Sequence, residues 1–349
     1  MPRNKEGRPI TDMSYFDPDL WINNGTYYAL NGRSSRESAV IMKSEDLKDW
    51  TYLGELLHPD FDEEKLGVGR NEDISCANMF RLGDPSTELG TGKWVLLCIS
   101  HGLGCRYFIG DFKDEQFLPE QHGLMNWARW DFFAPESLLT PDGRRVMWAW
   151  CTPLVNKRQK VDRKENFDAL NGKIQTGIQS LPRELSLSED GTLLIKPLRE
   201  LKKLRTDEKS MKDITVKSGT THMLEGISGD TMELEIVLEA PSAREFGVKV
   251  LCDKDGNNGF TIASDKGKKT LTVGYIDPPF ELKEGEDLTL RIFIDKNLIE
   301  VFANDRQAAV AWHDYDPQDL HVSLFSKGGD LKVKKASAWQ MRSIYTDSN

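Results

Sequence analysis

The sequence predicts an all-β protein: a set of small antiparallel sheets of β-propeller type over residues 1–204, followed by a β-sandwich over residues 205–349. Three observations predict it. Short runs of aromatic and β-branched residues, such as TYYALNG and KWVLLCIS, are bounded by Gly, Asp, Asn or Pro, which is the pattern of strands between turns. In the first part these runs fall into successive sets of four, and four-stranded sheets repeated about an axis are propeller blades. Tryptophan is dense early, with seven of nine within residues 1–150, and a plainer apolar–polar alternation takes over later.

The first set runs DLWIN, TYYAL, AVIMKS and WTYLGELL. Between its last two members, SEDLKDW (44–50) reads as a turn. Ser44 and Asp46 accept from local backbone N–H groups, while Leu47 and Trp50 bury. The second set runs ISCANMFRL, KWVLLCIS, RYFIGDF and a weaker strand near Phe117; the third runs WDFFAPESLL, RRVMWAW, TGIQSLPREL and TLLIKPL. The charged stretch IKPLRELKKLRTDEKS then joins the two parts. A helical turn and an extended connector both fit it, and the extended form is preferred. From about Asp213, segments such as MELEIVLEA, FGVKVLCD and LTLRIFID alternate, and eight or more such strands indicate a sandwich. LRIFI-DKN-LIEVF reads as a hairpin with a short polar turn.

A length of 349 residues allows two domains, and 38% apolar with 29% charged residues suits a globular protein rather than a disordered one. No apolar run approaches the roughly 18 residues that span a bilayer, so no membrane partner is expected. The opening MPRNKEGRPITD shows no apolar core of a secretory signal. A net charge of −10 repels nucleic-acid phosphates but leaves a neutral sugar acceptable. Cys76, Cys98, Cys105, Cys151 and Cys252 form no CxxC pair and no zinc spacing. They read as reduced, buried small hydrophobes, and no metal site is expected. P-loop, GxGxxG, GxSxG and HExxH patterns are absent, so nucleotide and zinc-peptidase readings lack support.

Acids open each set: Asp17 the first, Glu72 and Asp73 the second, Asp131 the third. First strands of propeller blades line the central axis, so such acids converge on one channel. Taken alone, Asp17 also fits a turn former, Glu72 and Asp73 a solvated loop, and Asp131 a core segment in which it holds local backbone; it is the repetition at equivalent places that favours a site. Converging carboxylates in an aromatic cleft are suited to glycoside cleavage, one stabilising or attacking and another protonating the leaving oxygen. His101 and Arg106 stand near a strand end and can bind hydroxyls, and Trp148 can flank a sugar ring.

Several segments jointly resemble glycoside hydrolase family 32, the invertase, levanase and inulinase group. FDPDLW (16–21) resembles the family's Arg-Asp-Pro motif, and SEDLKDWTYLGEL its Ser-x-Asp-Leu-x-x-Trp segment. ISCANMF resembles the Glu-Cys-Pro-Asp segment, and RYFIGDF the strand after it. WDFFAPESLLTPDGRRVMWAW resembles the Asp-Phe-Tyr-Ala block, SLPRELSLSEDGTLLIKPLREL the propeller exit, and LRIFIDKNLIEVFANDR the signature of the C-terminal sandwich. The resemblance covers nearly the whole chain. It implies a five-bladed propeller, a sandwich, and retaining cleavage of β-linked fructose without a cofactor. Asp17 matches the family's transition-state-stabilising Asp.

The departures are specific. Phe16 stands where the family has Arg, and Ser75 where it has the acid/base Glu. Glu72 and Asp73 lie just upstream as the two candidates for that role. In an extended strand Asp73 shares a face with Ser75, whereas a bulge presents Glu72. The nucleophile motif, Asn-Asp-Pro-Asn-Gly, is missing, and about three blades are evident where closed rings need at least roughly four. The expectation is an N-terminally truncated member, or an open propeller completed by another chain, whose unpaired edge favours association, as in a homo-oligomer. The catalytic candidates are therefore Asp17, Glu72 and Asp73. Phe16, Trp21, Ser75, His101, Arg106, Asp131 and Trp148 are the candidates for contact with a fructoside substrate. A non-catalytic carbohydrate-binding protein and a fructosyltransferase are the competing functions.

Overall fold

Alternating apolar positions fold the described residues of the first part of the chain into three antiparallel sheets. The computed structural model describes residues 2–10, 17–32, 38–83, 92–128, 131–151, 178–239, 241–313 and 316–345. The first sheet is β1 (Pro18–Asn23), β2 (Thr26–Asn31), β3 (Val40–Ser44) and β4 (Thr51–Glu55), in chain order. A single helical turn, α1 (Glu63–Leu66), is capped by Asp62, whose carboxylate accepts from the Lys65 N–H at 3.0 Å. The second sheet is β5 (Ser75–Arg81), β6 (Trp94–Ser100), β7 (Gly104–Lys113) and β8 (Gln116–Leu124).

In the third sheet β10 (Arg145–Cys151) lies between β9 (Phe133–Leu139) on one side and β11 (Ile178–Gln179) with β12 (Arg183–Leu187) on the other. The single strand expected over TGIQSLPREL is therefore interrupted. Pro182 has no N–H to offer a ladder, and the Ser180 hydroxyl takes the Ala149 N–H at 3.0 Å instead.

The first strands of successive sheets are neighbours: β1 packs against β5, and β5 against β9. At their heads Asp17, Cys76 and Ala134 share one conformation, with φ of 45°, 45° and 46°. This left-handed region is uncommon for residues other than glycine. Its recurrence at three sheet heads marks one repeated backbone path. The triplets there are Asp17-Pro18-Asp19, Cys76-Ala77-Asn78 and Ala134-Pro135-Glu136. Each places a polar residue two positions after the left-handed one.

That third residue ties one sheet to the next. Asp19 Oδ2 accepts the Met79 N–H of β5 at 2.6 Å. Asn78 Oδ1 accepts the Ser137 N–H of β9 at 2.7 Å. Just after β2, Gly32 lies tight against the entry to β5: a Cβ there would lie 2.6 Å from the Ile74 carbonyl oxygen.

The core between the first two sheets is aromatic. Trp21 stacks on Tyr28 at 5.7 Å and meets the edges of Trp94 and Phe112 at 6.1 and 6.0 Å. Trp21 is thus a core residue, not the substrate contact expected from its place in FDPDLW. The SEDLKDW turn forms as expected at its polar positions: Ser44 Oγ accepts from Leu47 N–H, and Asp46 Oδ1 from Lys48 and Asp49 N–H. Leu47, expected to bury, is exposed instead, because its own φ of 61° swings it outward. Four of the five cysteines are buried and reduced as expected, but Cys76 is only half-buried.

The fold divides into two compact units, residues 1–191 and 192–349. Strand β13 (Leu193–Pro197) belongs to the second, where the Ile195 N–H donates to the Asp305 carbonyl at 2.7 Å. The charged connector is not extended throughout: a 3-10 turn spans Arg199–Leu204 before β14 (Arg205–Val216) begins. The remaining strands are β15 (Thr221–Ser228), β16 (Thr231–Leu238), β17 (Glu245–Cys252), β18 (Phe260–Asp265), β19 (Thr270–Val273), β20 (Leu288–Asp295), β21 (Leu298–Ala303), β22 (Gln307–Trp312), β23 (His321–Lys327) and β24 (Leu331–Met341). They make a six-stranded sheet, β14-β24-β16-β20-β21-β22, and a five-stranded one, β15-β23-β17-β18-β19. The expected hairpin is β20–β21, closed by Lys296 and Asn297 with Asp295 paired to Leu298. Among the described residues no helix is long and apolar enough to cross a membrane.

Candidate active site

The three sheet heads bring carboxylates together that are far apart in sequence. Asp17 Oδ2 accepts the Cys76 N–H at 3.2 Å and lies 3.5 Å from the Cys76 Sγ, across 59 residues of chain. The Cys76 thiol is pushed up to about 12, chiefly by desolvation and then by Asp17, with smaller contributions from Glu136 and Asp73. A thiol in that state is a poor nucleophile. Around it, Asp17 is bonded to the Cys76 N–H, and Glu136 meets the amide of Asn78, two residues further along β5.

Asp73 is buried, and both of its oxygens are engaged. Oδ1 accepts the Ser75 hydroxyl at 2.7 Å. Oδ2 accepts the His101 backbone N–H at 2.9 Å and also contacts the ring Nδ1. His101 is exposed, with its ring edge-on to Phe133 at the head of β9. Glu72 takes the Ser100 hydroxyl, and Ser100 Oγ in turn accepts the Gly102 and Leu103 N–H groups. Glu72 thereby pins the β6–β7 turn that carries His101. The expectation that Asp73 delivers a proton to a leaving oxygen does not fit a buried carboxylate with both oxygens occupied.

Other expected contacts also lie elsewhere. Arg106 is fully buried; its Nη2 donates to the Asp73 carbonyl at 2.6 Å, and its guanidinium lies 5.0 Å from the Phe108 ring centre. It holds the Asp73 segment and does not reach a substrate. Asp131 is buried at 1% exposure, so its carboxylate is not presented to solvent. Trp148 is half-buried and stands directly across from Glu136 in the β9–β10 register. Phe16 lies outside the described residues. Among the described residues no group of His, Cys, Asp and Glu is arranged to hold a metal ion.

Sequence reading missed Asp19, Asn78 and Glu136, the third members of the repeated triplets. Aligning the triplets on one another was the available signal. Asn78 Nδ2 reaches the Pro135 carbonyl at 3.3 Å and Glu136 Oε2 at 3.4 Å. Glu136 is exposed, and its carboxyl is raised chiefly by desolvation, with Asp17 adding to it. Asp19 is raised from 3.8 to about 6, mainly by desolvation and in part by Glu136.

Because the folded state holds the Asp19 proton more tightly than the unfolded chain, this contribution to stability is fully present below about pH 4. It is lost as pH rises through about 6. At about 1.4 kcal/mol per pH unit the loss is about 3 kcal/mol. Asp19→Asn keeps an acceptor for the Met79 N–H and has no proton to lose. The variant is expected to match the parent's stability at pH 4 and exceed it by about 1–3 kcal/mol at pH 8. Thermal unfolding across that range checks this; equal pH slopes for the two proteins would refute it.

Two family models match nearly the whole length of the chain. The family model of the glycosyl hydrolases family 32 N-terminal domain matches residues 4–197, and that of the glycosyl hydrolases family 32 C terminal matches residues 200–340. The chain belongs to glycoside hydrolase family 32. As a family 32 protein it is 27% identical over 350 residues to a levanase of Bacillus subtilis, covering 88% of this chain and 47% of the levanase. It is 24% identical over 362 residues to a sucrose-6-phosphate hydrolase of Escherichia coli, covering 94% of this chain and 67% of that protein. The chain thus spans about half of the levanase it matches. Fructan 1-exohydrolase IIa from Cichorium intybus superposes with a TM-score of 0.73 at 18% identity, over 93% of this chain and 71% of that one. That likeness concerns the fold, which in this family 32 chain is a β-propeller followed by a β-sandwich.

Proposed function

We propose that this family 32 chain carries the cleft of a β-fructoside hydrolase acting on substrates of the sucrose, levan or inulin type. The relatives named above are a levanase, a sucrose-6-phosphate hydrolase and a fructan exohydrolase. The observation that carries the reading is the meeting of the Asp17, Asp73 and Glu136 environments around Cys76 at adjoining sheet heads. In it Asp17, held by the Cys76 N–H, accepts from fructose hydroxyls as positive charge develops on the ring. His101, fixed by Asp73, binds hydroxyls at the rim.

One observation favours a second reading. Ser75, in the place of the family's acid/base Glu, is fully buried and bonded to Asp73, as in a cleft that binds fructan without cleaving it. Incubation with sucrose, levan and inulin separates the two. Release of fructose supports the hydrolase. Sugar-induced thermal stabilisation without fructose release supports the binding protein, and neither response would sink both.

A further inference from the structure

We infer that Glu136 is the proton donor of this cleft. The inference rests on the hydrolase reading above and adds the residue that completes it.

The geometry supports it by position and by access. Glu136 is the third residue of the Ala134-Pro135-Glu136 triplet, equivalent to Asp19 and Asn78. Those two spend their side chains on the backbone of the next sheet, at Met79 and Ser137. The contact of Glu136 is weaker, an Asn78 amide at 3.4 Å on one oxygen, and the residue is exposed. Neither of the nearby acids can serve as easily. Asp73 has both oxygens engaged by Ser75 and His101, and Glu72 accepts the Ser100 hydroxyl. Trp148, across the strand pair from Glu136, offers an aromatic surface at the same place. The raised carboxyl of Glu136 favours the protonated form that a general acid needs.

In the step itself the Glu136 O–H proton passes to the glycosidic oxygen as the bond from that oxygen to the anomeric carbon breaks. The bonding pair leaves with the oxygen, and the sugar or alcohol departs neutral. Asp17 faces the cationic fructosyl group. Water then adds to the anomeric carbon and gives a proton back to the Glu136 carboxylate, so the acid is regenerated and the net reaction is hydrolysis.

The test compares Glu136→Gln with the parent on sucrose and on 4-nitrophenyl β-fructofuranoside, whose acidic leaving group needs little protonation. Sucrose turnover is expected to fall at least about 100-fold, within the range of general acid catalysis. Turnover of the aryl fructoside should fall less than about tenfold. The alkaline limb of the pH–rate profile on sucrose should disappear, with sucrose affinity and melting temperature unchanged. A Glu136→Gln protein that keeps the parent's sucrose rate and alkaline limb overturns the assignment while leaving the hydrolase reading intact. The same signature in Glu72→Gln overturns it as well. A parent protein that releases fructose from neither substrate overturns both, and is recognised by the parent's own inactivity.

Discussion

Replacing Glu233 by alanine is expected to destabilise the sandwich by about 3–5 kcal/mol, the range for breaking a buried ion pair from one side. Glu233 on β16 is fully buried. Arg205 approaches it with two bonds, Nε to Oε2 at 2.7 Å and Nη2 to Oε1 at 2.6 Å. Arg291 on β20 adds Nε and Nη2 to Oε1 at 2.8 and 2.5 Å. The guanidinium of Arg205 also lies over the Trp339 ring at 3.7 Å, and that of Arg291 over Phe293 at 5.3 Å. Removing the carboxylate leaves two mostly buried cations with only the more distant Glu235, 3.9 Å from the Arg205 Nη2, as a counter-charge, and both are held in place by aromatic rings. The triad crosses β14, β16 and β20, so it also fixes which strands of the six-stranded sheet lie together. Replacing all three residues by apolar ones of similar volume removes the desolvation penalty along with the attraction, and is expected to be close to neutral. Denaturant unfolding of the two variants checks the pair of statements. A loss below about 1 kcal/mol in Glu233→Ala would show that the triad contributes little.

Asp17→Asn is expected to lower kcat on sucrose by about 10²–10³-fold, equivalent to about 3–4 kcal/mol of transition-state stabilisation, while leaving the fold intact. Asparagine tolerates the left-handed backbone at this position and can still accept the Cys76 N–H. What disappears is the negative charge that the proposed hydrolase reading sets opposite the developing fructosyl cation. KM should change much less than kcat, because the interaction lost strengthens only as charge develops. A second readout does not depend on turnover. Asp17 is the leading charged contributor to the raised Cys76 thiol, after desolvation. Its neutralisation should therefore lower that thiol toward the ordinary range and speed alkylation of Cys76 by iodoacetamide at pH 9. Unchanged alkylation together with unchanged kcat would remove Asp17 from the site.

The strands were legible because their cause is local. A two-residue alternation of apolar and polar side chains, with Gly, Asn and Asp between the runs, states where a strand begins, which face is buried and where it turns. LRIFIDKNLIEVF declared its hairpin that way, and the polar positions of SEDLKDW declared its turn. Leu47 misled because a left-handed backbone inside that turn reverses the direction its side chain takes. Trp21 misled because an aromatic residue beside an acid reads equally as core or as sugar platform; three neighbouring rings decide for core. Glu136 was passed over in favour of Asp131, which opens the same segment but is buried.

By itself the sequence determined an all-β chain and the likeness to family 32, including Asp17 at the head of the first sheet. These follow from periodicity and from motifs written in consecutive residues. Only the tertiary structure decided which acids share a cleft and which are already occupied. Asp17 and Cys76 meet across 59 residues, and Asp73 is closed off by Ser75 and by His101, which lies 28 residues away. The physical reason is that access and hydrogen-bond occupancy belong to neighbours brought in by sheet packing, and local sequence carries no record of them.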